Sequence, residues 1–173
     1  MSEKSGRSGP LVFVKVRHAF FANGGEAPVL IEHHDIVYRE AAKPGEQQRA
    51  ATPAPNDPTW TRRLTPDPVL LFRFSALTFN GHRIHYDQPY VTGVEGYPGL
   101  IVHGPLMGML QIELGRRTNP TKKLKAFEFR ALSPVFANAP ITVGARREPD
   151  GSLVTWVANE KGGLAQQGKV SFG

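Results

Sequence analysis

Thr78-Phe79-Asn80-Gly81-His82-Arg83-Ile84-His85-Tyr86-Asp87 packs two histidines, an asparagine, an arginine and a tyrosine into one short stretch. It follows an apolar run, Val69 to Leu77, interrupted only by Arg73 and Ser75. Further on, His103-Gly104-Pro105 opens a second helix-like run that ends at Arg116-Arg117. Thr65-Pro66-Asp67 reads as the start of the first helix, with Thr65 as N-cap, an early proline, and Asp67 at the positive end of the dipole. A helix so apolar all round is expected to be buried. The second helix shows Leu106, Met109, Leu110, Glu113 and Leu114 as its repeating face. Gly108 within it costs about 1 kcal/mol relative to alanine unless close packing requires it.

Beyond Leu124 the pattern turns to strands. Lys125 to Arg130 alternates, and Ile141 to Arg147 and Leu153 to Ala158 flank the turn Pro149-Asp150-Gly151-Ser152. Ala165 to Phe172 forms a last strand after Asn159 to Gly163. Helices first and a meander of strands after them predict an α+β fold with an antiparallel sheet wrapped around a long central helix. At the other end, residues 1–10 read as a disordered lead. Leu11 to His18 and Val29 to Arg39 form a strand pair around Asn23-Gly24-Gly25. Residues 41–59 carry Pro44, Pro53, Pro55 and Pro58 with few bulky apolar side chains, and read as a linker. The division is therefore a strand pair over 1–40, a Pro/Ala-rich linker over 41–59, and the main domain over 60–173.

The 173 residues have no cysteine, which excludes disulfides, thiolate nucleophiles and Cys-based metal sites. No apolar run approaches the ~18 residues of a membrane span. Met1 to Arg7 lacks a signal's apolar core, so the expectation is a soluble, cytoplasmic protein without membrane partners. The net charge of +6 is scattered, apart from Lys122-Lys123-Lys125 and pairs such as Arg62-Arg63 and Arg146-Arg147. No nucleic-acid motif or aromatic interleaving accompanies it, so nucleic acid is not expected as a partner. The charge reads first as solvated surface charge, and it becomes informative only if the substrate carries phosphates.

His85 is the leading candidate for proton transfer, since neutral imidazole accepts a proton near pH 7. Asn80 can orient a water but cannot act as a base; it equally suits a left-handed helix C-cap. Arg83 can fork onto a carboxylate or phosphate, or serve as a surface charge. Gly104 at a helix N-terminus can offer its N–H to a developing oxyanion, or simply make the turn. No metal is expected: His33-His34 and His82/His85 have no acidic cluster around them and no His-Glu-x-x-His run exists. Gly-x-Ser-x-Gly and Gly-x-x-x-x-Gly-Lys are also absent.

The stretch Phe72 to Asp87, with Gly96-Tyr97-Pro98-Gly99-Leu100-Ile101-Val102-His103-Gly104-Pro105-Leu106, closely resembles MaoC-like acyl-thioester dehydratases and hydratases. The nearest branch is the mesaconyl-C4-CoA and itaconyl-CoA hydratases, and mitochondrial 3-hydroxyacyl-thioester dehydratases are also similar. The resemblance covers residues 11–173. It implies a hot-dog fold, reversible hydration of an α,β-unsaturated acyl-CoA or dehydration of a 3-hydroxyacyl thioester, and no cofactor.

The family's Gly-Asp-x-Asn-Pro-x-His pattern lays its His on His85, its Asp on Asn80 and its Asn on His82. The thioester-binding glycine falls on Gly104. Asn80 in place of Asp leaves the acid/base work to His85, helped by His82. Arg83, Tyr86 and His103 are the substrate-contact candidates. Members of this branch carry two hot-dog repeats, so residues 1–40 are expected to be the remnant of a preceding repeat. A homodimer or a partner hot-dog subunit would then complete the site. The alternatives are a non-catalytic acyl-CoA-binding or partner-dependent subunit, and a hot-dog thioesterase.

Overall fold

The computed structural model describes residues 2–6, 9–39 and 51–173. The chain divides into two compact units, Met1–Gln48 and Arg49–Gly173.

The first unit is a three-stranded antiparallel sheet of β1 (Ser2–Gly6), β2 (Gly9–Phe20) and β3 (Leu30–Arg39), in that order. The β2–β3 register runs from Leu11↔Arg39 to Phe20↔Leu30. Asn23 and Gly24 carry the positive φ values of the connection, 49° and 73°. The disordered lead expected at residues 1–10 is a correction: Ser2–Gly6 pairs with β2. Strand pairing runs through backbone groups, so a segment without apolar patterning can still complete a sheet edge.

The second unit holds β4 (Trp60–Leu64), β5 (Leu124–Ala131), β6 (Ile141–Arg147), β7 (Leu153–Ala158) and β8 (Leu164–Phe172). They form one antiparallel sheet in the order β4-β6-β7-β8-β5. Its helices are α1 (Pro68–Leu77), α2 (Gln88–Gly93) and α3 (Gly104–Thr118), with a 3-10 turn at Arg83–His85. Of the stretch read as a linker, residues 41–50 lie outside the described residues. Residues 51–59 run along the sheet: Pro53 bridges Gly163, Leu164 N–H donates to Thr52 O at 2.7 Å, and Thr59 N–H donates to Ala145 O at 2.8 Å.

α3 lies against the sheet, the hot-dog arrangement of a helix held in an antiparallel wrap. Its buried residues are Leu106, Met107, Gly108, Gln111, Leu114 and Gly115, whereas Met109 is 59% exposed. The buried face is thus rotated from the one the apolar pattern predicts. Closeness to the sheet explains the glycines. A Cβ on Gly108 would meet Phe127 and Phe129 Cε1 at 3.3 Å, and one on Gly168 would meet Gln111 Oε1 at 2.9 Å. Glu113, placed on the apolar face by its spacing, is half-exposed and ion-paired with Arg62 of β4 and Arg117.

α1 departs from expectation twice. Its N-cap is Asp67, whose Oδ1 accepts from Leu70 N–H at 2.7 Å, with Pro68 first in the helix; Thr65 lies outside it. The helix is not buried all round: Leu71 and Ser75 are covered, while Phe72 is 60% and Leu77 82% exposed.

Candidate active site

α1 ends in a Schellman motif. Asn80 N–H donates to Ser75 O at 2.9 Å and Phe79 N–H to Ala76 O at 3.4 Å. The left-handed residue is Phe79, at φ 53°, and not Asn80. Asn80 makes the next turn, its Oδ1 accepting from His82 N–H at 3.0 Å. Tyr86 OH closes the loop by donating to Gly81 O at 2.8 Å. Asp87 then caps α2, accepting from Tyr90 N–H at 3.0 Å.

The 3-10 turn is pinned to the segment before α3. Ile101 N–H donates to Ile84 O at 3.0 Å, and His85 Nδ1 lies 2.7 Å from Ile101 O. Since a carbonyl can only accept, Nδ1 carries the proton and the lone pair of His85 sits on Nε2. Ile101 is in turn bridged to Phe136, and Val102 N–H donates to Val135 O at 2.9 Å. Two residues further on, Gly104 begins α3, so its N–H is one of the helix donors without an intrahelical acceptor. His85, Ile101, Val102, Gly104, Met107 and residues 131–134 line one cleft of about 300 Å³. A base nitrogen and the positive end of a helix therefore share a small cavity.

Behind the cleft, His103 is fully buried. Its ring stacks on His85 with centroids 3.7 Å apart, and Phe74 meets its edge at 4.8 Å. Its Nε2 is 2.8 Å from Ser75 Oγ. Burial, then the neighbouring His85, pushes the His103 pKa down to about 4. Burial is also the main cause of the lowered pKa of His85, with His82 adding to it and the bond to Ile101 opposing it. Both rings are held neutral at pH 7.

The other expected site residues lie apart from the cleft lining. His82 is exposed and meets His85 edge-on at 5.6 Å. Asn80 is half-buried with its oxygen committed to the turn. Tyr86 braces the loop. Arg83 is already engaged, its Nη2 2.8 Å from Asp87 Oδ2 and its guanidinium 4.0 Å from the centre of the Tyr90 ring. His103 faces His85 and Ser75.

Sequence reasoning missed Ser75 and the buried trio Gln111, Thr155 and Gln166. Their signal was phase: Gln166 shares the inward register of Gly168 and Val170, and Thr155 that of Leu153 and Val157. A second hollow, of about 480 Å³, lies by Lys122, Lys125, Asp150 and Ser152 and offers no such pairing of base and helix terminus. Among the described residues there is no His, Asp or Glu group that could hold a metal ion, and no helix is long and apolar enough to cross a membrane.

The chain belongs to the hydroxyacyl-thioester dehydratase type 2 family, whose model matches residues 2–137 and so spans both motifs. It is 45% identical over 176 residues to the mesaconyl-C(4)-CoA hydratase of Chloroflexus aurantiacus, covering 94% of this chain and 61% of that protein. It is 46% identical over 81 residues to the mitochondrial hydroxyacyl-thioester dehydratase type 2 of Schizosaccharomyces pombe, covering 46% of this chain and 27% of that protein. The chain thus spans less than two thirds of the length of these curated relatives. In fold it is similar to a MaoC-like dehydratase from Phytophthora capsici, with a TM-score of 0.68 and 14% identity over 95% of this chain and 65% of that one.

Proposed function

We propose that this chain carries the water-adding and water-removing site of an acyl-thioester hydratase, acting on an α,β-unsaturated acyl-CoA of the mesaconyl type or on a 3-hydroxyacyl thioester. The observation that carries the proposal is the shared cleft of His85 and Gly104, with the Nε2 lone pair of His85 left free by the bond from Nδ1 to Ile101. In the hydration direction, His85 Nε2 takes a proton from water as the water oxygen bonds to the β-carbon. The C=C electrons move toward the α-carbon and the thioester oxygen. That oxygen is held by Gly104 N–H at the positive end of α3. The imidazolium then returns a proton to the α-carbon, and one water has been added. Gly104 supplies the oxyanion donor without a charged side chain.

Asn80 and His82 are outside the cleft lining; in this reading the Asn80 amide N–H groups, which the turn does not use, orient the water, and His82 assists through its edge contact with His85. Arg83 holds the loop through Asp87 and Tyr90, a role for which binding a substrate carboxylate is not needed.

A second reading has its own support. Asn80 stands where the family carries an acid, and its oxygen is consumed by a turn. That favours an acyl-thioester-binding subunit that needs a partner. The partner surface we assign is the sheet edge: among the described residues β5 pairs with β8 on one side only, and Phe129 and Leu132 at this edge are 44% and 46% exposed. A second copy or another hot-dog domain would pair there, with residues 1–40 as the remnant of a preceding repeat.

The test is hydration of mesaconyl-CoA and crotonyl-CoA by the purified chain, followed by loss of the enoyl-thioester absorbance. Turnover that falls by at least ~100-fold in a folded His85→Ala variant is the expected result. Unchanged turnover in that variant sinks the mechanism. Binding of crotonyl-CoA without turnover supports the partner-dependent subunit, and release of free thiol supports a thioesterase.

A further inference from the structure

Thr155, Gln111 and Gln166 are fully buried in the second unit, where apolar side chains would be cheaper to desolvate. Every one of their polar atoms that the structure pairs lies in a single chain of hydrogen bonds. Thr155 Oγ1–H donates to Gln111 Oε1 at 2.7 Å, and Gln111 Nε2–H donates to Gln166 Oε1 at 2.6 Å. Gln166 Nε2–H donates to Gly104 O at 3.1 Å. A weaker branch runs from Gln111 Nε2–H to Met107 O at 3.4 Å.

All donors point the same way, from β7 through α3 and β8 to the first residue of α3. The neighbouring backbone serves the cleft too: Leu132 and Ser133 N–H both donate to Ala165 O, at 2.8 and 3.2 Å, beside Gln166. Gly168 keeps the space this chain needs, because a Cβ there would stand 2.9 Å from Gln111 Oε1.

We propose that Gln166, backed by Gln111 and Thr155, is a positioning residue that fixes Gly104 so that its N–H stays aimed at the thioester oxygen. This rests on the function proposed above. Gly104 has no side chain to anchor it and is followed by Pro105, whose nitrogen has no hydrogen to donate. Met107 N–H holds the His103 carbonyl of the peptide that carries the Gly104 N–H, at 3.2 Å, and Gln166 holds the Gly104 carbonyl on the following peptide from the sheet. A satisfied buried network of this kind rigidifies what it touches.

The experiment compares the wild-type chain with Thr155→Val/Gln111→Leu/Gln166→Leu, which removes the whole network and leaves no orphaned amide, and with Gln166→Met, which cuts the two links made by Gln166 and leaves Gln111 Nε2 its longer bond to Met107 O. The expected result is a folded variant with kcat for crotonyl-CoA hydration lowered ~10- to 100-fold, a KM within about twofold, and a bound thioester C=O stretch moved back toward its value in water. Wild-type kcat and carbonyl frequency in either folded variant would overturn the proposal.

The amide of Gly104, followed by 15N relaxation, gives a readout that needs no turnover. A lower order parameter at Gly104 in Gln166→Met, with the middle of α3 unchanged, supports the positioning role even where the wild-type chain does not hydrate, in which case only the functional reading fails. An unchanged order parameter at Gly104 overturns the positioning role whatever the activity.

Discussion

α1 and α3 invert the usual relation between composition and burial. α1, Pro-Val-Leu-Leu-Phe-Arg-Phe-Ser-Ala-Leu, is the more apolar helix, yet it fully covers only Leu71 and Ser75. α3 carries Gln111, three glycines and two arginines, yet it buries six residues against the sheet. The difference lies in what each helix packs against. α3 packs against the sheet, where glycines permit close approach and a satisfied glutamine chain reaches its N-terminus. α1 packs one side on the core and presents Phe72 and Leu77 outward. Apolar residues that stay exposed beside a site mark a surface for association more often than a folding error.

That contrast can be broken most forcefully at neighbouring positions of α1. Leu71→Ala removes a fully buried side chain and is expected to cost about 2–5 kcal/mol in urea unfolding. Phe72→Ser, one residue on and 60% exposed, is expected to change stability by no more than about 0.5 kcal/mol in the isolated chain. Equal costs at the two positions would show that α1 is packed on both sides.

A second effect is tied to pH. His85 and His103 have folded pKa values below their ordinary value of 6.5, His103 at about 4. Between about 4 and 6.5 the unfolded chain therefore binds more protons than the folded one. The stabilisation is complete above pH 6.5 and is lost as pH falls through that window. Thermal melts from pH 7.5 to 4.5 should show the midpoint falling, with a shallower fall in His103→Gln. A midpoint independent of pH, or one rising on acidification, would contradict the burial of this pair.

The smallest expected effect is a gain. Phe79 occupies the left-handed position of the Schellman motif at φ 53° and is 97% exposed, so its ring is not packed. Phe79→Gly should relieve about 1 kcal/mol of backbone strain, seen as a higher melting temperature.

The limits of the sequence follow from the same physics. β6 and β7 were legible at their ends, because alternation and the Pro149–Ser152 turn bound them tightly. His85 and Gly104, which line one cleft, stood out in the sequence because one stands in a dense polar loop and the other opens a helix. β4 was not, since Thr61, Arg62 and Arg63 offer little apolar alternation and the strand is defined by pairing with β6. The buried face of α3 was misplaced because Gln111, Gly108 and Gly115 do not register as core residues, although packing makes them so. The left-handed residue fell on Phe79 and not on Asn80, the residue better suited to that conformation, because the hydrogen bonds that end α1 set the position.

The most direct measurement of the central claim is a crystal structure of the chain with butyryl-CoA, a saturated thioester that cannot be hydrated. The account predicts the thioester oxygen about 3 Å from Gly104 N, with the β-carbon facing His85 Nε2. An acyl group that leaves this cleft empty, lying for example in the hollow by Lys122 and Asp150, would contradict it.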